Sequence, residues 1–321
     1  MNRSSALLLA ITLIAPLAQA QPALPADAPI QITLEGDNYV IYRGNTFDTT
    51  KIAKDPNPVV SAQTAFLSFV NVGDIKTLNG KAMKGLYSAQ GPAAMPYRAN
   101  PVAGQPIADL DFGGMMHCVW QILTPDGKYV GTIMDMGMVG NEHVVMGGSG
   151  AFQGATGFHE TTISATPQRQ ASSSEDPANR RKHGGGTFKD VFYLYPKFRP
   201  AVIATANGPA VTHQDGKLVT TANPALAGET LTLYATGLGP TTPAVPFGQP
   251  FPTAAESRVN APVDVLINGK PFDVLYAGGT PGAVDGYQVN FQLPSGLATG
   301  TVSLQLNMAW IPGPAVSLPI K

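Results

Sequence analysis

The stretch Met146-Gly-Gly-Ser-Gly-Ala-Phe-Gln-Gly-Ala-Thr-Gly157 places five glycines in twelve residues, between two runs of strand-forming residues. Glycine at that density either lets a backbone close around a phosphate or lets strands bend and approach inside a sheet. A dinucleotide-binding loop follows a strand and opens a helix, whose N-terminus receives the anion. Here Phe158-His-Glu-Thr-Thr-Ile-Ser164 follows, a run of strand formers, and there is no Walker lysine. The stretch therefore reads as a strand, a glycine-rich turn anchored by Phe152, and a return strand. Phe152 is expected to plug one end of a barrel, while Gly154 and Gly157 take conformations that side chains resist.

Working outward, two-residue alternation is common and helical periodicity nearly absent. The dipeptides Asn79-Gly80, Asp126-Gly127, Asp215-Gly216 and Asn268-Gly269 are of the kind that accepts positive φ at both central positions of a tight hairpin. Strands are expected at 38–43, 64–72, 81–89, 117–123, 129–136, 143–146, 158–165 and 188–195. About eight strands close a small antiparallel barrel without exposed edges. Strand 129–136 is apolar on both faces, with Tyr129, Gly131, Ile133 and Asp135 on one and Val130, Thr132, Met134 and Met136 on the other. A strand wet on one side would alternate cleanly. The pattern suits a barrel whose interior is filled or holds an apolar ligand, and whose outer wall packs on something; homo-oligomerisation through that wall would explain the excess.

The run Ser172-Ser-Ser-Glu-Asp-Pro-Ala-Asn-Arg-Arg-Lys-His-Gly-Gly-Gly186 is polar and reads as a mobile surface loop before the last barrel strand. After Pro200 the alternation sharpens. Leu231, Leu233 and Ala235 alternate with polar neighbours, as do Tyr287, Val289 and Phe291, and Val302, Leu304 and Leu306. One buried and one wet face, with turns at short intervals, is the pattern of a β-sandwich. The expectation is an all-β chain: an eight-stranded antiparallel barrel over 30–197, then an Ig-like β-sandwich over 200–321.

Residues 1–20 read as an export signal, with Arg3, an apolar run Ala6 to Leu17, and Ala18-Gln19-Ala20 at the cleavage position. That run is too short to span a bilayer, which takes roughly 20 residues. The expected location is secreted or periplasmic, with no membrane span. The formal net charge is −1, which speaks against a nucleic-acid partner, since phosphates need a clustered positive face. The 35 glycines and 29 prolines among 321 residues fall short of the ~25–30% that suggests disorder. The single cysteine, Cys118, excludes an internal disulfide. It sits in an apolar strand, where a buried thiol is inert.

Two resemblances follow from these motifs. Val145 to Gly157 resembles the GGTGxFxxAxG hairpin of allene-oxide-cyclase-like and dirigent-like proteins, and Gly131-Thr-Ile-Met-Asp-Met-Gly137 resembles the strand that feeds it. The resemblance implies an eight-stranded barrel, often trimeric, that binds a small hydrophobic molecule in its cavity and cyclises an epoxide or steers radical coupling there. The plant dirigent N-terminal motifs are absent. Glu229-Thr-Leu-Thr-Leu-Tyr-Ala-Thr-Gly-Leu-Gly-Pro240, Gly248-Gln-Pro250 and Gly286-Tyr-Gln-Val-Asn-Phe-Gln-Leu-Pro294 resemble an IPT/TIG-type module of secreted bacterial proteins, which is an accessory domain.

The chemistry-bearing residues of the first half are His117, Asp135, Glu142, His143, His159 and Glu160, with Tyr42, Arg43, Tyr97 and Arg98 nearby in type. Asp135, Glu160 and His117 are the catalytic candidates, and Trp120, Met134 and Phe152 the ligand-lining ones. A carboxylate of Asp135 or Glu160 turned into an apolar interior would have a raised pKa. No HxH or HxxxH spacing supports a metal, no cofactor is implied, and neither a GxSxG elbow nor a glycosidase-like acid pair is present. Three readings stay open: a barrel binding a small hydrophobic molecule, a cyclase or isomerase acting on an unsaturated or epoxide substrate, and a structural cell-surface module.

Overall fold

The computed structural model describes residues 28–43, 66–94, 113–138, 142–162, 169–172, 175–176 and 178–321. The export signal, Tyr97 and Arg98 lie outside them. The first sheet contains β1 (Ile30–Arg43), β2 (Phe66–Leu78), β3 (Lys81–Ala94), β4 (Gly113–Leu123), β5 (Tyr129–Met138), β6 (His143–Gly150), β7 (Thr156–Thr162), β8 (Arg169–Ser172) and β9 (Gly186–Tyr195). The order β2-β3-β4-β5-β6-β7-β9-β1, with β1 pairing back to β2, closes an eight-stranded antiparallel barrel. β8 lies outside the closed circuit, parallel to β1.

The glycine-rich stretch is the end of β6, a turn, and the start of β7, with no helix after it. Phe152 is buried at the turn. Its carbonyl oxygen would lie 2.4 Å from a Cβ added to Gly148, and its ring 2.9 Å from one added to Gly131. The missing side chains let the turn fold back onto the barrel wall. Asn79-Gly80 and Asn268-Gly269 have positive φ at both positions. At Asp126-Gly127 and Asp215-Gly216 only the glycine does. There the loops are longer: Gly127 N–H bonds Thr124 O and Gly216 N–H bonds His213 O, so the aspartate stays on the ordinary side of φ. Ala309-Trp310 makes the two-residue positive-φ turn with no glycine or asparagine to announce it.

The polar segment before β9 departs from the mobile loop expected of it. It contains β8 and a short helix, α1 (Asn179–His183). Arg180 is buried and pairs with Asp74 of β2 at 2.6 Å, while Arg181 reaches the same carboxylate at 2.9 Å. Burial pushes the Asp74 carboxyl up, but Arg181, Arg180 and Asn38 outweigh it and hold it well below the usual carboxylate range. Arg169 grips Glu175 with two hydrogen bonds of 2.8 and 2.9 Å. Composition showed the charges but not that Arg180 and Arg181 meet a carboxylate from a distant strand.

Residues 201–320 form a second, nearly closed sheet. Tyr287–Gln292 pairs with Thr230–Thr236 and with Lys270–Gly279, which pairs with Val263–Ile267. Gly300–Met308 and Ile311–Ile320 complete the path. The alternation is expressed as expected: Leu231, Leu233, Ala235, Tyr287, Val289, Phe291, Val302, Leu304 and Leu306 are all buried. Asn260 donates to the Tyr129 carbonyl at 2.8 Å, and Arg199 donates to the carbonyls of Ala28 and Pro312. These bonds tie the second sheet to the barrel. Among the described residues no helix is long and apolar enough to cross a membrane.

Candidate functional site

Strand parity decides which polar side chains enter the barrel. Cys118 and Trp120 of β4, Asp135 of β5, His143 of β6, His159 of β7 and Asp190 of β9 are each buried. Their in-strand neighbours of the same parity are apolar: Ile122, Ile133, Val145, Phe192. Cross-strand pairing lines them up. Asn71 faces Ala89, Ala89 faces Cys118 and Cys118 faces Asp135, while His143 faces His159. The β5–β6 register shifts between Met134 and Asp135, a bulge of the kind that re-aims a side chain beside a site.

Asp135 is the hub. It accepts from Trp120 Nε1 at 2.5 Å and from His143 Nδ1 at 2.6 Å. His159 Nδ1 stands 3.4 Å from the same carboxylate, and His159 Nε2 contacts Asp190 at 2.9 Å. His143 Nε2 faces the Met138 carbonyl at 3.1 Å, at the barrel end opposite the glycine-rich turn. Burial pushes the Asp135 carboxyl up, yet His143, the His159 imidazole and Trp120 together hold it well below its ordinary range. The rise expected of a lone inward carboxylate does not occur, because this one is surrounded by donors. Burial alone would lower His159, but Asp135 and Asp190 raise it to about 9, so the ring is an imidazolium at neutral pH. Burial pushes Asp190 up.

An aromatic floor supports the charges. Tyr87 stacks on Trp120 with centroids 4.1 Å apart and on Tyr39 at 5.7 Å. His159 lies flat on Phe192 at 4.3 Å, and Trp120 meets Phe192 edge-on at 5.2 Å. Gly36 and Gly73 make room for Phe188, whose ring would lie 2.2 and 2.7 Å from added Cβ atoms. Among the described residues, three polar atoms of the barrel strands are buried without a hydrogen-bond partner: His159 Nδ1, off line from Asp135, Asn71 Oδ1 and Tyr42 Oη.

Of the sequence candidates, Asp135, Trp120 and Phe152 point inward and are buried. Glu160 and His117 are exposed, and Met134 is exposed on the outer wall. Which of Asp135 and Glu160 faces inward was open in the sequence; the structure turns Asp135 inward with Ile133, while the parities of β4 and β7 carry His117 and Glu160 out of the barrel. Met134 shares the outward face of β5. Asp190 was absent from the candidates. Its signal is a lone acid in Phe188-Lys-Asp-Val-Phe-Tyr-Leu194, at the parity of Phe188, Phe192 and Leu194.

Cys118, Asp135 and His143 each offer a metal-ligand atom, all within 4.8 Å of one another. Two ligands of one tetrahedral zinc, each bound at ~2.0–2.1 Å, stand roughly 3.3 Å apart. Asp135 and His143 are at 2.6 Å and spend that approach on a hydrogen bond. Burial, reinforced by the Asp135 charge, drives the Cys118 thiol far above its ordinary value, leaving it protonated and inert. Four ionisable groups packed in a dry interior add little stability over an apolar core. Such clusters concentrate at functional sites. No protein-family model matches the chain, and no curated protein matches it.

Proposed function

We propose that the protein is exported and that its barrel binds a small, largely apolar molecule carrying one polar group. The aromatic floor of Tyr39, Tyr87, Trp120 and Phe192 would take the apolar body, and the charged network would orient the polar group. The observation that carries this reading is the buried chain Asp190–His159–Asp135–His143, in which His159 Nδ1 stands 3.4 Å from Asp135 and makes no hydrogen bond among the described residues. The resemblance to allene-oxide-cyclase-like and dirigent-like barrels points the same way, and the IPT/TIG-like half is then an accessory unit.

A second reading, a cyclase or isomerase, is favoured by the charge on His159. An imidazolium in a dry site can donate a proton to a carbonyl or epoxide oxygen. Asp135 and Asp190 would hold that ring in place, and an isomerisation needs no co-reactant.

The outer wall supports self-association. Met115 and Val119 of β4, Met134 and Met138 of β5, and Val144 and Met146 of β6 are all exposed. Met115 lies opposite Met138 and Val119 opposite Met134. A contiguous apolar belt of this kind marks an interaction face.

Native mass spectrometry of the exported protein tests both parts, by adduct mass and by subunit count. An adduct present in the wild type and lost in Asp135→Asn is the expected result. A protein without adduct, which no member of a panel of small apolar carbonyl and epoxide compounds stabilises against heat, would sink the barrel reading.

A further inference from the structure

The glycine-rich hairpin forms one wall of a different cavity. A cleft of about 470 Å³ lies between that hairpin and the second sheet, outside the barrel interior. Its volume falls in the ~300–1,000 Å³ range of small-molecule sites, which favour domain interfaces. Five aromatic rings line it: Tyr129 and Phe198 from the barrel side, and Phe247, Phe251 and Tyr287 from the second sheet. Among the described residues that line it, Asp285 is the one charged side chain.

Two features of the lining point to a ligand. Phe247 is 95% exposed and Phe198 53% exposed, so both rings stand at the mouth of the cleft. Phe247 sits on the loop Pro246-Phe247-Gly248-Gln249-Pro250, where Gly248 has φ of 78°. Asp285 lines the cleft and has φ of 50°, a left-handed conformation in which aspartate is several-fold enriched. Burial pushes its carboxyl up, against the Gly237 amide and the Tyr287 side chain. Among the described residues, no lysine or arginine lines the cleft to offset it. Next to the cleft, the Lys197 ammonium already lies 5.7 Å over the Phe198 ring, so one of these rings serves a cation within the protein itself.

Aromatic faces carry negative quadrupole potential and attract ammonium groups. Rings around a lone carboxylate add a full charge of the same sign. We propose that this cleft is a second binding site, for a small organic cation: an ammonium group borne on an apolar or aromatic body. A neutral molecule of the same shape gains only burial there, and an anion is repelled by Asp285. The site stands independently of the barrel reading.

Saturation-transfer NMR and calorimetry on the full mature protein test this with benzyltrimethylammonium and its neutral isostere neopentylbenzene. The cation is expected to bind about 5- to 30-fold more tightly than the isostere, the ratio that cation–π attraction supplies when partly desolvated. Asp285→Asn and Phe247→Ala are each expected to weaken it several-fold. The Phe247 ring is solvated, so its removal leaves folding intact. Asp135→Asn, in the barrel, leaves cation binding unchanged, which separates this site from the other. Equal binding of the two probes, no binding of the cation at millimolar concentration, or indifference to both cleft variants would each overturn the proposal.

Discussion

The two halves of this protein solve the same folding problem with different cores. The second sheet buries Leu231, Leu233, Val265, Val289, Phe291, Leu304 and Leu306, and its buried polar residues Thr241, Ser257 and Asn260 carry no charge. The barrel buries Asp135, His143, His159 and Asp190 among its aromatics. Both are closed or nearly closed sheets of one chain, so the fold does not require the charges. What differs is the risk: an apolar core loses contacts when a side chain is cut back, whereas a charged core is left with unpaired donors.

The largest contrast is expected at Asp135. Asp135→Ala strands His143 and Trp120 without their acceptor and removes the counter-charge beside His159; it should cost about 3–5 kcal/mol, the range for breaking a buried pair from one side. Val289→Ala, a purely apolar truncation of two methyl groups in the second sheet, should cost less, at about 0.8 kcal/mol per methylene plus a cavity term. Urea denaturation of the two variants measures both. Equal losses would mean that the network behaves as ordinary packing.

The strongest pH dependence should come from the barrel. His159 is raised in the folded state from 6.5 to about 9. Its contribution is therefore complete below pH 6.5 and is lost as pH climbs through about 9. Fully expressed, it amounts to about 3 kcal/mol at 1.36 kcal/mol per unit. Asp190, pushed up by burial, also loses its contribution with rising pH. Asp135, depressed, contributes above its unfolded value and loses that as pH falls. The fluorescence of Trp120 in a Trp310→Phe background follows the barrel through both limbs. A flat response between pH 6.5 and 9 would rule out the charged His159.

Two glycine substitutions sharpen the contrast further. Gly148→Ala forces a methyl against the carbonyl oxygens of Phe152 and Thr132, so backbone must move; a cost of about 1–3 kcal/mol is expected. Gly269→Ala, in the second sheet, meets open space but keeps φ of 78°, which costs about 1–2 kcal/mol. Melting of Gly148→Ala should also disturb the near-ultraviolet signal of the barrel, whereas Gly269→Ala should not. The smallest effect is on the outer wall. Met134→Gln should alter stability by no more than about 0.5 kcal/mol, while sedimentation shows dissociation of any self-assembled form.

Much of the fold was legible because it depends on short-range rules. Alternation located all eight barrel strands, though most proved longer than expected, since pairing extends a strand past the residues that prefer it. The turn at Ala309-Trp310 was invisible because tertiary packing holds it in a conformation its residues do not favour. Parity set Asp135 on one face of β5 with Ile133 and Gly131 and Met134 on the other, but which face turned inward was not legible. Apolar character misleads at Met134, which faces outward.

What the sequence determined by itself is the all-β architecture and the meaning of its glycines, because strand parity and steric exclusion act between near neighbours. Only the tertiary structure decided that residues 135, 143, 159 and 190 meet. They come from four strands with no common spacing, and closure of the barrel brings them within hydrogen-bond reach. The charge on His159 and the depressed Asp135 carboxyl follow from that meeting, since each group's titration is governed by partners far away in the chain.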